Sequence, residues 1–452
     1  MASNKNKKTP VNNVLFIVVF LVVGFLIGVA FSYLYNTVDL SFYLLGDTEV
    51  NIGLGEDYVE KGYVCEFNGV DYRSDVIVSY YDQNQTTVSE IVSDKAKTYY
   101  VVYSVNNDYI SASITRIVNI VEVEDLEINF IMFDSNNAGD CIYIKAGETD
   151  ILIDAGAKRE DATGIYNYLT DADSTLHQSV TDNKLEIVIA THAHEDHIAS
   201  FVGESNKNNG ILHKFDVDVI IDFPKTNSNS KVYNDYKNLV KELEKDGTKH
   251  YTALECYNNL GDATRIIKIA AGVELEILYN YYYENETDNE NNYSVCVMIH
   301  RGETKYLLTG DLEGKGEEYL VDNNDLGEVY LYKLGHHGSK TSSSDKLLSV
   351  IKPQVAVATC AAFTKEYTSN TDNQFPTKAA IDNLAKYNVS HLYVSKMLTQ
   401  DADKFENQQV SPANGHIVAY ANKTGVGIKC SNSNDDFYTF DIFKQYRSWT
   451  RN

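Results

Sequence analysis

An apolar run, Glu186-Ile187-Val188-Ile189-Ala190, leads without a break into Thr191-His192-Ala193-His194-Glu195-Asp196-His197. The β-branched run reads as a buried strand. Packing gives no reason for a strand to deliver four metal-ligating side chains within six residues at its C-terminal end. Side chains alternate along an extended chain, so His192 and His194 share one side, while Asp196 and His197 turn back at the following loop. Two clusters of nitrogen and oxygen donors can then face two cations side by side. Such a chain needs a fold whose strand ends converge at one edge.

Three more strand ends have the same form. Ile151-Leu152-Ile153-Asp154-Ala155-Gly156 ends in Asp-x-Gly, and Tyr306-Leu307-Leu308-Thr309-Gly310-Asp311 ends in an acid on a glycine turn. Val329 to Leu334 runs into Gly335-His336-His337-Gly338-Ser339. Apolar strands are expected at 128–132, 141–145, 150–153, 186–190, 218–221, 295–299, 304–308, 328–333 and 354–359. Val232, Tyr236, Leu239, Val240 and Leu243 recur at helical spacing, with Gly247 as the stop. Pro376 opens a second helix with Ala380, Ile381, Leu384 and Ala385 on one face. The pattern predicts one layered α/β domain over 126–452. Residues 224–260 and Asn280–Asn292 read as surface insertions over it.

Ahead of that domain, residues 47–122 read as short β-branched and aromatic strands without helical periodicity, which predicts a small β-sandwich. Val14 to Leu34 is almost wholly apolar, about the length that crosses a bilayer core. The sequence therefore predicts a cytoplasmic basic tail at 1–12 and a transmembrane helix at 13–35. Lys5, Lys7 and Lys8 precede the span, and Asp39 and Asp47 follow it, so the N-terminus is placed in the cytoplasm and the rest outside. Gly28-Val29-Ala30 leaves a cleaved signal peptide as the alternative.

Lys and Arg number 39 against 64 Asp and Glu, a net charge of −25. The first 38 residues hold three lysines and no acid, so the remainder carries −28. That balance argues against a broad basic nucleic-acid footprint and leaves open a local metal-lined cleft. Six cysteines are scattered without a Cys-x-x-Cys. Cys141, Cys296 and Cys360 lie in apolar strands, where a small buried hydrophobe is the expected role.

Together these motifs resemble the metallo-β-lactamase fold, particularly the extracytoplasmic hydrolase domain of ComEC-type DNA-uptake proteins. The resemblance runs from Leu126 to Lys429 and includes Gly139 to Ile144, Leu152 to Gly156, the His-x-His-x-Asp-His, Asn291 to Ser294, Leu307 to Asp311 and Gly335 to Ser344. It implies a four-layer αββα sandwich with a dinuclear metal site at one edge. It further implies that His192 and His194 hold the first metal, and that Asp196, His197 and His336 hold the second. Asp311 would bridge them, and Asp154 would orient a ligand histidine. Residues 47–122 resemble bacterial surface Ig-like domains of the HYR kind, whose role is that of a spacer or adhesive module.

Most members of the wider fold place another histidine four residues before the serine matching Ser294; here Glu290 stands there, beside Asn291 and Asn292. Glu290, an asparagine or water would fill that gap, or only one metal would bind tightly. His337 is open between ligand, acid and structural partner. Ser339 and Lys340 offer phosphate contacts, although the same stretch suits the cap of a helix beginning near Asp345.

The implied activity is phosphodiester hydrolysis by a hydroxide bridging two divalent cations, zinc or manganese, with Asp196 orienting or deprotonating the water. DNA or a cell-wall polymer is the expected substrate, the membrane the expected attachment, and no obligate protein partner is evident. Rival readings are a teichoic acid or phosphocholine esterase, a hydrolase of lactones, lactams or thioesters, and a non-catalytic adhesion or sensing protein with a degenerate metal site.

Overall fold

The computed structural model describes residues 40–451; the predicted tail at 1–12 and membrane helix at 13–35 lie outside them. No helix among the described residues is long and apolar enough to cross a membrane. The chain divides into two units. One comprises residues through Val50, Asp57–Ser93 and Lys97–Ile120; the other comprises Asn51–Glu56, Asp94–Ala96 and Val121 onward.

The first unit is built from β1 (Leu40–Leu44), β2 (Glu49–Gly53), β3 (Tyr63–Phe67), β4 (Val70–Asp71), β5 (Ile77–Asp82), β6 (Thr87–Val88), β7 (Lys97–Asn106) and β8 (Ser111–Val121). One sheet runs β1-β3-β4 and the other β2-β8-β7-β5-β6. Along β7, Tyr99, Val101, Tyr103 and Val105 are buried in strict alternation, the period of a strand with one face on a core. Arg116 is also buried; its guanidinium donates to the carbonyls of Leu45 and Gly62 and pairs with Glu60 at 2.9 Å.

The second unit holds two eight-stranded sheets. The first contains β9 (Leu126–Phe130), β10 (Ile142–Ala146), β11 (Thr149–Ile153), β12 (Lys184–Ile189), β13 (Asp216–Asp222) and β14 (Lys249–Thr252). The second contains β15 (Ile266–Ala270), β16 (Val273–Ile277), β17 (Val297–Arg301), β18 (Thr304–Leu308), β19 (Leu331–Lys333), β20 (Val355–Ala362), β21 (His391–Gln400) and β22 (Gln409–Pro412). β23 (Ile417–Asn422) and β24 (Gly425–Cys430) return to complete the first. The orders are β14-β13-β12-β11-β10-β9-β23-β24 and β15-β16-β17-β18-β19-β20-β21-β22. β11 to β14 are parallel, as are β18 to β21.

The helices are α1 (Ala162–Leu169), α2 (Glu195–Val202), α3 (Lys231–Asp246), α4 (Ala253–Tyr257), α5 (Gly314–Asn323), α6 (Asp345–Ile351), α7 (Lys378–Lys386) and α8 (Asp441–Tyr446). Strand alternation explains the layering. Val297, Ile299, Tyr306, Leu308, Leu331, Val355 and Val357 share one core with the first sheet and with α2 and α3. Their neighbours Met298, Leu307, Tyr332, Ala356 and Ala358 share another with Leu320 of α5, Leu347 of α6 and Ile381 of α7. The second sheet is thus apolar on both faces, as parallel sheets are when covered on both sides. The result is a mixed α/β arrangement of helices, sheet, sheet and helices.

Two expectations need correction. Residues 224–260 are not a surface insertion: they supply edge strand β14 and helix α3, whose Val232, Tyr236, Leu239 and Val240 are buried. Ser230 caps α3 by accepting from Tyr233 N, and Gly247 ends it in the left-handed region at φ 114°. Asn280–Asn292 is a surface segment only in its middle, where Glu284, Glu286 and Asp288 are exposed; Asn280, Glu290, Asn291 and Asn292 at its ends are buried. All six cysteines are free thiols, and all but Cys430 are buried.

Candidate metal centre

The parallel strands β11, β12, β18 and β19 end at one edge, where their C-terminal extensions carry Asp154, His192 to His197, Asp311 and His336-His337. Ala190 N donates to Ile221 O at 3.0 Å, after which the chain leaves the sheet. Asp154 sits just past β11 with φ 57°. Its carboxylate accepts the Thr191 N–H and hydroxyl, each at 2.7 Å, and faces His197 Nδ1 at 2.7 Å. His194 is the N-cap of α2, so His197 falls in that helix's first turn and points inward, fully buried. Gly156 permits the loop to close on α2: a Cβ there would lie 1.6 Å from the Asp196 carbonyl oxygen.

After β19 the backbone makes an unusual turn. His336 and His337 both occupy the left-handed region, with φ 49° and 55°. Non-glycine residues held there cost about 1–3 kcal/mol each and gather at functional sites. The turn splits the pair: His337 is buried, while the His336 side chain is 24% exposed at the rim.

Three imidazoles then show one arrangement. Each Nδ1 faces a carboxylate: His197 faces Asp154 at 2.7 Å, His337 faces Asp140 at 3.3 Å and His336 faces Glu313 at 3.3 Å. Each Nε2 is turned to Asp311 Oδ2, at 3.1, 3.3 and 4.0 Å respectively. Carboxylates behind ligand histidines fix ring orientation and raise basicity. Ligand atoms of Asp196, His197, Asp311 and His337 all lie within 4.8 Å of one another. His337, not His336, therefore stands in the compact quartet, and His336 remains at the rim. His192 is fully buried, its Nε2 3.0 Å from His194 Nδ1.

The charges agree with a cation site. Burial opposes ionisation of Asp196 and Asp311, yet the neighbouring histidines hold both carboxyls well below the usual range. Burial likewise opposes the charged forms of His197 and His337, but Asp311 and its neighbours push both well above an ordinary imidazole. His192 moves the other way, driven down by burial and by His197. His197 Nε2, His337 Nε2 and Asp311 Oδ1 are buried without a well-formed hydrogen bond. Orphaned buried polar atoms are costly, and a divalent cation beside Asp311 Oδ2 would satisfy both imidazole nitrogens, so the residues fit one.

The sequence reading missed several contributors. Lys333 and Asp140 are fully buried and ion-paired, and Lys333 Nζ lies 3.7 Å from Asp311 Oδ1. Burial opposes the Lys333 charge, but Asp140 and Asp311 raise its pKa. A lysine inside the apolar run Tyr330 to Leu334 was the available signal. Tyr367 donates to Asp196 Oδ2 at 3.4 Å. A cavity of about 350 Å³ opens on the centre, lined by Lys158, His194, Asp196, Asp311, His336 and Tyr367 among others.

Other expected residues are engaged elsewhere. Glu290 accepts Ala193 N at 3.1 Å, Thr226 Oγ1 at 2.7 Å and Asn227 N at 2.9 Å, so it secures loops and is not turned to the quartet. Asn292 Oδ1 accepts Glu313 N at 3.2 Å. Ser339 Oγ pairs with Thr341 Oγ1 at 2.9 Å, and neither Ser339 nor Lys340 lines the cavity. The amides of Ser343 and Ser344 donate to buried Glu317, and Ser344 caps α6. This stretch forms the entry of α6.

Comparison with known proteins agrees with the geometry. Residues 286–361, which include Asp311, Lys333 and His337, match the family model described as the metallo-beta-lactamase superfamily. The chain is 37% identical over 86 residues to Recombination protein 2 of Haemophilus influenzae, covering 19% of this chain and 10% of that protein. It is 42% identical over 90 residues to Competence protein ComA of Neisseria gonorrhoeae, covering 19% and 12%. The matched segment thus spans about a tenth of the length of these curated relatives. The metallo-beta-lactamase fold protein YhfI of Bacillus subtilis aligns over 60% of this chain and 86% of its own, at 13% identity and a TM-score of 0.33.

Proposed function

We propose that this metallo-β-lactamase-superfamily unit is a metal-dependent hydrolase of phosphodiesters, held outside the cell by the apolar segment at 13–35 and spaced from the membrane by an Ig-like unit. The observation that carries the reading is the convergence of Asp196, His197, Asp311 and His337 beside an open cavity. His192 and His194 would hold one divalent cation, Asp196, His197 and His337 a second, with Asp311 between them. Nitrogen and carboxylate donors without cysteine suit zinc first and manganese second. When bound, such ions supply electrophilic charge that lowers the pKa of an attacking water and neutralises charge developing on phosphoryl oxygens.

The chain's own groups do the rest. Asp196, at the cavity beside Asp311 and His336, would orient the attacking water through a hydrogen bond. The Tyr367 hydroxyl, given to Asp196 Oδ2, helps to hold that carboxylate at the cavity edge. Lys158 at the cavity rim, 3.7 Å from Glu195, adds one positive charge for a monoanionic diester. A body carrying −28 repels long polyanions at low salt, which favours short or locally neutralised substrates.

The test is a substrate panel with the full chain: bis-p-nitrophenyl phosphate, single-stranded DNA, teichoic acid, a phosphomonoester and a lactam. Hydrolysis of diesters supports the proposal, and the preferred polymer separates nuclease from cell-wall esterase. Turnover of the lactam alone overturns it.

A further inference from the structure

We infer that His336 supplies the ligand missing from the Glu290 segment, so that the two adjacent histidines serve different cations: His336 with His192 and His194, and His337 with Asp196 and His197. The inference rests on the two-cation reading above and assigns to His336 a role opposite to the one the family resemblance implies.

The residues at the vacant ligand position are otherwise committed. Glu290 is held by three loop donors, and Asn292 by Glu313. His336 packs against this same segment: Asn291 Nδ2 lies 3.4 Å from His336 Nδ1. Glu313 and Thr341 also face His336 Nδ1, each at 3.3 Å. With Nδ1 occupied, Nε2 is the free nitrogen, and it looks toward Asp311 Oδ2 at 4.0 Å. Metal–nitrogen and metal–carboxylate bonds of about 2.0–2.2 Å let one ion join donors that far apart. His194, Asp311 and His336 line the same cavity, and His192 Nε2 is 3.0 Å from His194. Asn291 Nδ2 donates to Glu313 at 2.9 Å and so helps to fix the carboxylate that faces His336 Nδ1.

The backbone supplies the device. Two consecutive left-handed residues followed by Gly338 at φ 89° send neighbouring side chains in different directions. One turn thereby replaces ligands that would otherwise come from two segments.

The full chain, stripped by chelator, is titrated with Zn²⁺, and retained zinc is counted by plasma mass spectrometry after desalting. Co²⁺ absorption is read in parallel. Wild type is expected to retain two equivalents and His336→Asn one, since asparagine tolerates the left-handed backbone; His192→Ala with His336→Asn is expected still to retain one and His197→Ala with His336→Asn none, and the reverse pattern overturns the inference. Glu313→Gln is expected to keep both but to bind one about 10–100-fold more weakly. Two equivalents of unchanged affinity and unchanged Co²⁺ spectrum in His336→Asn overturn the inference and leave the two-cation reading standing. A wild-type chain that takes up fewer than two equivalents overturns both.

Discussion

Lys333 is ion-paired with Asp140 directly behind the Asp311 carboxylate, and neither side chain is more than 1% exposed. Asp140 also accepts the Thr359 hydroxyl and faces His337 Nδ1, so one buried pair stands behind both Asp311 and His337. Removing one partner of such a pair leaves an uncompensated charge at a cost of about 3–5 kcal/mol. Lys333→Met is expected to lose about that much stability, and Lys333→Met with Asp140→Asn markedly less. Urea denaturation of the four-member cycle checks it; equal losses in the single and double variants would contradict the account.

Asp154 acts through His197. Asp154→Asn keeps a group that can accept from Thr191 but removes the carboxylate facing His197 Nδ1. Metal affinity is expected to fall about 10–100-fold with little change in far-UV circular dichroism. Competitive titration against a chromophoric chelator reads the shift.

Glu290 is placed as a loop fastener. Glu290→Ala is expected to destabilise the chain by about 1–3 kcal/mol, the cost of stranding buried donors such as Ala193 N, while zinc stoichiometry stays unchanged. Loss of one metal equivalent in Glu290→Ala would instead make it a ligand.

His416 carries a pH dependence outside the metal centre. Burial, then His177 and Lys396, hold its pKa at about 4. Its Nδ1 accepts Met132 N at 3.1 Å, and its ring lies 4.4 Å from Tyr168. The folded state binds the proton less readily than the unfolded state, so the stability is complete above pH ~6.5 and is lost as pH falls toward 4. The full effect is about 3 kcal/mol. His416→Gln is expected to flatten the stability profile between pH 7 and 4.5; an unchanged slope would contradict the assignment.

How much of this was legible in the sequence follows from the range of each interaction. The His-x-His-x-Asp-His, Asp154 and Asp311 are visible because strand period and turn residues are local, and they mark strand ends directly. The α3 face was visible too, yet its segment read as an insertion, because the sequence does not show that β14 adds to the far edge of the first sheet. The division of labour between His336 and His337 was not legible: only the left-handed turn distinguishes them, and neither residue type announces it. Asp140 and Lys333 stand 193 positions apart, and a lone charge beside an apolar run reads as a solvated end until the fold joins them. Glu290, standing where a ligand was expected, is tied to Thr226 from 64 positions away, a contact that only the folded chain supplies.

The central claim is that the quartet around Asp311 is a catalytic metal centre. Its most direct test is bis-p-nitrophenyl phosphate hydrolysis by the full chain after chelation, with Zn²⁺ or Mn²⁺ added back, for wild type and Asp311→Asn. The account predicts no turnover in the stripped protein, recovery on metal addition in wild type, and a rate at least 100-fold lower in Asp311→Asn, consistent with about 2.7 kcal/mol or more of lost transition-state stabilisation. Turnover that persists without metal, or that Asp311→Asn leaves unchanged, would contradict it.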